Sequence, residues 1–396
     1  MMKIKIGLLA RIALAIALGI LIGSVAPEGL VRLLATFNGL FGNFLGFVVP
    51  LIIIAFIAPG IAQLGKGSGK LLGLATFFAY SSTLAAGFLA LVVGMNVLPN
   101  FIKPNAVGSF ENPEEFLATA LFTVDMPPAF GIMSALLLAF IFGIGMAATK
   151  SDVLLKGFTE FNVIIEKVIN HVIIPLLPIH IFGIFMNMTF GGQVAKILSV
   201  FAVVFVIVIL LHFTMLILQY SFAGALNKQN PFRLMKIMSP AYFTALGTQS
   251  SAATIPVTLK QARKNGASEK VTDFTVPLFA TIHLSGSTIT LVTCAIGVLL
   301  LNGESIEITK IIPFIFMLGI TMIAAPGVPG GAVMAAIGLL SSMLGFNETM
   351  VALMIALYLA QDSFGTATNV TGDGALSMIV DRFTRGTSKI VEKTES

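Results

Sequence analysis

The stretch that decides the fold is Val351–Val380, VALMIALYLAQDSFGTATNVTGDGALSMIV. It is apolar at both ends and polar in its centre. Asp362, Thr366, Asn369 and Asp373 fall at i, i+4, i+7 and i+11, so on an α-helix they form one stripe. A soluble amphipathic helix would show the same stripe. Here, however, no Lys or Arg lies between Lys310 and Arg382. Two carboxylates on one face, without a cationic side chain nearby in sequence, need something else to neutralise them. Inside a membrane that role falls to a bound cation, a proton or a cationic substrate group.

Composition puts this stretch in a membrane. The chain has 396 residues, 57% hydrophobic and 10% charged, with a mean hydropathy of +0.99, whereas soluble domains carry about 25% charged residues. Apolar runs separated by short charged loops imply an all-α polytopic protein rather than a β-barrel, whose strands would alternate with period two. The net charge of +5 is gathered in a few loops, as membrane topology demands, and does not indicate nucleic acid. The single cysteine, Cys294, leaves no intrachain disulfide or thiolate metal site, and it reads as a small core residue. At the N-terminus, Ser24-Val25-Ala26 resembles a signal-peptide cleavage site. Arg11 interrupts the apolar region, though, and the stretch is long enough to span, so it is read as the first transmembrane helix.

Ten apolar segments follow one another near 5–26, 33–63, 71–98, 128–149, 162–189, 194–224, 237–258, 272–301, 311–344 and 350–380. Basic loops (Lys3/Lys5, Lys66/Lys70, Lys150/Lys156, Lys228/Arg233/Lys236, Lys260/Arg263/Lys264, Arg382/Arg385) and acidic or poorly charged ones alternate through the first six, which is the positive-inside pattern with cytoplasmic termini. Then parity breaks. Segment 237–258 has basic loops on both sides, and 311–344 lies between Glu304/Glu307 and Glu348. Two re-entrant hairpins, one from each face, restore the count. Each has a breaker-rich middle, around Gly247–Pro256 and Ala325–Gly331. Non-helical backbone at membrane depth survives only where protein or a water-filled cavity satisfies it. Opposed hairpins, each followed by a span, are what an inverted repeat leaves in a sequence, and such repeats mark secondary transporters. The expected fold is therefore eight transmembrane helices plus two re-entrant helical hairpins.

Two further clusters stand out. Tyr80-Ser81-Ser82-Thr83 is a run of hydroxyls inside an apolar segment, whose ordinary use is to bond their own helix backbone. Thr281, His283, Ser285, Ser287 and Thr288 surround Gly286 inside 272–301, which suggests an unwound helix. His171, His180 and His212 show no metal-ligand spacing and read as packing or interfacial residues.

Taken in order, Asn369-Val370-Thr371-Gly372-Asp373, the serine-rich first hairpin tip and Gly327-Val328-Pro329-Gly330 resemble the dicarboxylate/amino acid:cation symporter family, on its neutral amino acid branch. The resemblance is detailed from about Phe232 to Asp373, and the segment order matches along the whole chain. It implies a homotrimer in the cell membrane working by an elevator mechanism. A scaffold and trimerisation domain would take in 1–64 and 100–191, a transport domain 65–99 and 192–385, and a short polar tail 386–396. It implies a substrate site with Asp362 on the α-amino group and Asn369 on the α-carboxylate. Ser250, Ser251, Ser287, Gly365 and Thr366 would surround the substrate, under a lid of Val328, Pro329 and Gly330. It also implies sodium as the coupled ion. One site would use Asp373 with main-chain oxygens of Phe279 and Asn369; a second would use Thr281 with Met322, Ile323 and Ala325.

The departures from that family narrow the reading. Acidic-substrate members carry an Arg three residues after the first Asp of the last span, and here that position is Gly365. A second substrate carboxylate would find no fixed cation, and an unpaired buried carboxylate costs several kcal/mol. The expected cargo is a neutral amino acid such as serine, threonine or alanine, and Gly365 leaves volume for a larger one. The family's Asn-Met-Asp-Gly-Thr appears as His283-Leu284-Ser285-Gly286-Ser287. Losing that carboxylate disfavours a third sodium. His283 then stands either as a silent residue bonded to a helix carbonyl or as a proton carrier among the ion-site residues. Other readings are an acidic amino acid or dicarboxylate symporter with proton coupling, a channel-like permease, carriage of a non-amino-acid solute, and an intramembrane hydrolase built on Ser251, His283 and Asp362. The last of these leaves the paired hairpins unexplained, and a non-amino-acid cargo leaves Asp362 without an ammonium partner.

Overall fold

A computed structural model of the chain describes residues 8–66, 70–102, 118–192, 194–323, 325 and 330–394. The described residues are mostly helical and contain no strand. In chain order the helices are α1 (Leu8–Gly23), α2 (Glu28–Lys66), α3 (Lys70–Phe101), α4 (Ile132–Thr149), α5 (Asp152–Val168), α6 (Ile174–Phe190), α7 (Val194–Asn227), α8 (Pro231–Thr248), α9 (Ser251–Lys264), α10 (Glu269–Ile282), α11 (Ser285–Leu301), α12 (Ile308–Ile323), α13 (Gly331–Leu344) and α14 (Glu348–Thr394). Among them are six helical stretches long and apolar enough to cross a membrane, and four shorter apolar helices. One of the six, Asp152–Phe190, joins α5 to α6 through a π-helical turn at Ile169–Ile173. That crossing starts ten residues before the segment expected at 162–189, because Ser151 caps α5 through Leu154 N and the amphipathic α5 feeds straight into the apolar run.

Packing sorts the helices. α1 lies against α6, and α2 against α4, α5 and α6. Around α14 gather α7, α8, α9, α10 and α11, with α3 on α11 and α12. The arrangement depends on close approach. A Cβ at Gly19 or Gly23 would meet the backbone of α6 at 2.8 and 2.6 Å, so only glycine lets α1 seat there. Residues 118–131 have no regular structure before α4. Arg32 and Asn43 of α2 donate to Thr119 O and Val124 O, Leu121 N donates to Thr36, and Asn187 of α6 bonds both main-chain groups of Ala118.

Both expected breaker-rich segments lie between paired helices in contact, α8 with α9 and α12 with α13, although 324 and 326–329 of the second lie outside the described residues. The segment at 272–301 is two helices broken at His283–Leu284, as its polar residues around Gly286 suggested. The C-terminal end departs from expectation. α14 does not stop before a polar tail but continues as helix through Thr394, since nothing between Thr384 and Thr394 except Gly386 opposes the helical conformation.

Candidate functional site

α14 carries its polar stripe into the middle of the protein, where Asp362, Thr366, Asn369 and Asp373 are all buried. Three chain breaks face it. At the first tip Gln249 ends α8 in the left-handed region at φ 53°, uncommon for a residue with a Cβ, and Ser250 caps α9 by accepting from Ala253 N at 3.3 Å. At the second break Asn369 caps α11. Its Oδ1 accepts from Gly286 N at 2.7 Å and Ser287 N at 3.3 Å, and its Nδ2 donates to Ser287 Oγ at 3.0 Å. At the third, Gly330 N opens α13 and donates to Asp362 Oδ2 at 2.7 Å.

Between these breaks lies a cavity of about 20 Å³, a water-sized space. Its wall takes Gln249 and Ser251 from the first tip, Leu284 and Ser287 from the α10–α11 break, Ala325 and Ala332 from the α12–α13 unit, Ala280 from α10, and Tyr358, Asp362, Thr366 and Asn369 from α14. Ser251, Ser287 and Ala332 lie in the first turns of α9, α11 and α13. Three positive helix ends therefore meet at one fixed carboxylate, and among the described residues no Lys or Arg lines the wall. This is an arrangement for a small molecule carrying one anionic and one cationic group.

Asp373 belongs to a second centre. Its Oδ1 accepts from His283 Nδ1 at 2.8 Å, and both side chains are fully buried. The far nitrogen, His283 Nε2, is 3.0 Å from Ser82 Oγ and 3.4 Å from Gln219 Nε2, and Gln219 Nε2 also donates to Ser82 Oγ at 2.9 Å. The glycine beside Asp373 makes this meeting possible. A Cβ at Gly372 would sit 2.6 Å from Gln219 Oε1 and 3.0 Å from His283 Cε1. Asp373, with no Lys or Arg near it in sequence, is given an ionisable neighbour by the fold. The break at His283–Leu284 delivers an imidazole from 90 residues away in sequence. The same contact replaces the expected bond from His283 to a helix carbonyl.

Of the substrate residues expected from sequence, Ser251, Ser287, Asp362, Thr366 and Asn369 share the cavity, Ser250 stands behind it as a cap, and Gly330 reaches Asp362 through its N–H. Val328 and Pro329 lie outside the described residues. Gly365 does not open the cavity. A Cβ there would make ordinary contact, at 3.5 Å, with Ser287 N in the first turn of α11, so the position faces that helix. Of the ion-site residues, Phe279 and Met322 are buried, and Ile323 packs against the apolar cluster that holds Phe279 and Ile282, where α10 and α12 are in contact. Phe279 O already accepts from His283 N at 2.9 Å, Thr281 is exposed with its hydroxyl on Leu278 O, and Ala325 is on the cavity wall. His283 is no part of that wall, so Ser251, His283 and Asp362 are not assembled as a triad. Among the other histidines, His212 donates to or accepts from Thr290 and reaches Gly286 O, while His180 pairs with Asn38.

Two residues of these centres escaped the reading of the sequence. Tyr358 lies one helical turn before Asp362, so the i−4 spacing on the polar stripe carried the signal. Gln219, on α7, sits in an apolar run with nothing in its neighbours to mark it.

The sequence pattern of the Sodium:dicarboxylate symporter family matches residues 8–383. A serine/threonine transporter SstT of Acinetobacter baumannii (strain AYE) is 25% identical over 390 residues, covering 95% of this chain and 97% of that protein. Its counterpart from Acinetobacter baylyi (strain ATCC 33305 / BD413 / ADP1) is 25% identical over 400 residues, with 96% and 98% covered.

Proposed function

The chain belongs to the sodium:dicarboxylate symporter family, a family of transporters rather than enzymes, and from that premise we propose that it is a secondary active symporter that imports a small neutral amino acid of the serine, threonine or alanine kind with sodium. The observation that carries the cargo assignment is the charge pattern of the cavity wall: one carboxylate, three helix N-termini and no cationic side chain. The ammonium group takes Asp362 in place of the Gly330 N–H. The α-carboxylate takes the positive ends of α9 and α11 with Ser251, Ser287 and Asn369. A second carboxylate on the cargo would be buried without a counter-charge, at a cost of several kcal/mol. The similarity to serine/threonine transporters supports the same class.

A water-sized cavity has to widen to admit cargo. Asp362 holds the start of α13 by a single main-chain bond, so the α12–α13 tip acts as the lid, and an ammonium arriving at Asp362 competes with Gly330. The chain has eight spans and two hairpins with cytoplasmic termini. Residues 65–99 and 192–385 slide as a transport domain past a trimeric scaffold of 1–64 and 100–191. The grouping of contacts around α14 on one side and α2 on the other supports that division.

For the coupled ion, the carbonyl ends of α10 and α12 offer oxygen ligands near Thr281, Met322 and Ile323. A second reading concerns Asp373, where the 2.8 Å contact with His283 favours an imidazole over sodium as the group beside the carboxylate. Proteoliposome uptake across a panel of amino acids, with and without a sodium gradient, tests both parts. Serine, threonine or alanine should accumulate only with the gradient. Strong aspartate or glutamate uptake with no effect of the neutral amino acids sinks the cargo assignment, and indifference to sodium sinks the coupling.

A further inference from the structure

We infer that Tyr358 selects the side chain of the cargo, hydrogen bonding its hydroxyl and so favouring hydroxylated amino acids over their isosteres. The inference rests on the reading that the cavity takes a neutral amino acid. Tyr358 is on α14 four residues before Asp362, so its ring leaves the helix one turn, about 5.4 Å, from the carboxylate and on the same face. The residue is completely buried and stands on the cavity wall with Asp362 and Ser287. Its oxygen is close enough to both to interact with them but makes no directed hydrogen bond to any described residue.

That combination is expensive to keep unless something repays it. A buried hydroxyl without a well-aligned partner is destabilising. Ser287 Oγ already accepts from Asn369 and one oxygen of Asp362 accepts from Gly330, which leaves the Ser287 O–H and the other Asp362 oxygen as the phenol's near but imperfectly aligned neighbours. The cavity wall also carries apolar Ala280, Leu284, Ala325 and Ala332. An amino acid anchored by its ammonium at Asp362 points a β-substituent along α14. One direction along the helix leads to the phenol. A β-hydroxyl there supplies the missing partner, and a methyl or hydrogen leaves it missing. A site built around a hydroxyl discriminates far more strongly against the analogue lacking it than an apolar pocket discriminates between methyl and hydroxyl. A merely structural tyrosine would show no dependence on the cargo's hydroxyl.

The isosteric pair threonine and valine, together with serine and alanine, reads this directly in proteoliposomes driven by a sodium gradient. The wild-type protein should take up threonine with a KM at least tenfold below that for valine. Tyr358→Phe, which deletes one oxygen and keeps the ring, should raise the KM for serine and threonine about tenfold with little change in maximal rate. It should leave alanine and valine unchanged, collapsing the threonine-to-valine ratio to within two- to threefold. If Tyr358→Phe weakens all four equally, the phenol serves Asp362 rather than the side chain, and the inference is overturned. If wild-type protein transports valine and alanine as readily as threonine and serine, the inference also falls, without need of any variant, while the neutral amino acid assignment stands. Uptake of acidic amino acids alone would remove the underlying reading, a different result from either.

Discussion

Asp362 and Asp373 sit on one face of α14, both buried, at 5% and 1% exposure, yet they are held in opposite ways. Asp362 lines a cavity and is bonded to a main-chain N–H at the start of α13, on the far side of a tip that joins two short helices. Asp373 lies off the cavity, clamped by a histidine whose far nitrogen is itself tied to Ser82 and Gln219. Hydrogen bonding to a backbone donor at a hinge leaves a carboxylate available once the hinge moves. A carboxylate held by an imidazole that Ser82 of α3 and Gln219 of α7 fix from behind is not freed in that way. The same residue type on the same stripe is thus exchangeable at one end and built in at the other.

The widest separation between the two should come from removing each charge. Asp362→Asn keeps the size and loses the counter-charge for an ammonium. Uptake should fall at least 100-fold, corresponding to about 2.7 kcal/mol of binding, with thermal unfolding almost unchanged. Asp373→Ala should do the reverse in emphasis. It strands the His283 N–H inside the protein, so stability should drop by about 1–3 kcal/mol. The comparison breaks if Asp362→Asn is destabilising and transport-competent while Asp373→Ala unfolds normally.

The next effect concerns the crossing of α11 and α14 that positions both centres. A Cβ at Gly286 would lie 2.4 Å from Gly365 O and 2.7 Å from Thr368 Cβ, whereas a Cβ at Gly365 meets nothing nearer than 3.5 Å. Gly286→Ala must push two backbones apart and pull Gly286 N away from Asn369. It should cost about 1–3 kcal/mol or more, as overpacking does, and lower uptake with it. Gly365→Ala should stay within about 0.5 kcal/mol of the parent. Thermal unfolding in detergent separates the two glycines, and equal effects would mean that the crossing is not rigid.

His283→Asn sharpens the contrast from the other side. With the imidazole gone, Asp373 regains the character of a free carboxylate among oxygen donors. Uptake should then become more sensitive to sodium, with a half-saturating concentration lowered about tenfold, or 1.4 kcal/mol, and a steeper sodium dependence. An unchanged sodium curve would show that the imidazole is not what keeps the ion from Asp373.

These outcomes also explain how much could be read in advance. The stripe on α14, the two tips and the unwinding near Gly286 were legible because each is written in neighbouring residues: period, breakers, clusters of hydroxyls. Tyr358 was legible too, one turn from Asp362, had the stripe been extended backwards. What stayed hidden was partnership. Nothing local says that His283 will meet Asp373, that Gln219 will close their ring, or that Asn369 will spend its oxygen on the first turn of α11. Gly365 is a further case: that it faces the first turn of α11 becomes visible only once the opposing helix is known.

The hydroxyl cluster of α3 provides the smallest test and shows the division within four residues. Thr83 Oγ1 donates to Ala79 O, the local habit expected of a buried hydroxyl, while its neighbour Ser82 reaches His283 and Gln219 on other helices. Thr83→Val removes a donor whose acceptor remains within the helix, so nothing is stranded and the change should stay within about 0.5 kcal/mol. Ser82→Ala takes one partner each from Gln219 Nε2 and His283 Nε2 while their mutual contact and the Gln219 bond to Ser285 Oγ remain, so it should cost at most about 1 kcal/mol. Because Ser82 acts on Asp373 only through the imidazole, Ser82→Ala should add little once His283→Asn is present. A double-mutant cycle on thermal stability reads that coupling, and full additivity of the two changes would mean that the ring around Asp373 is not one unit.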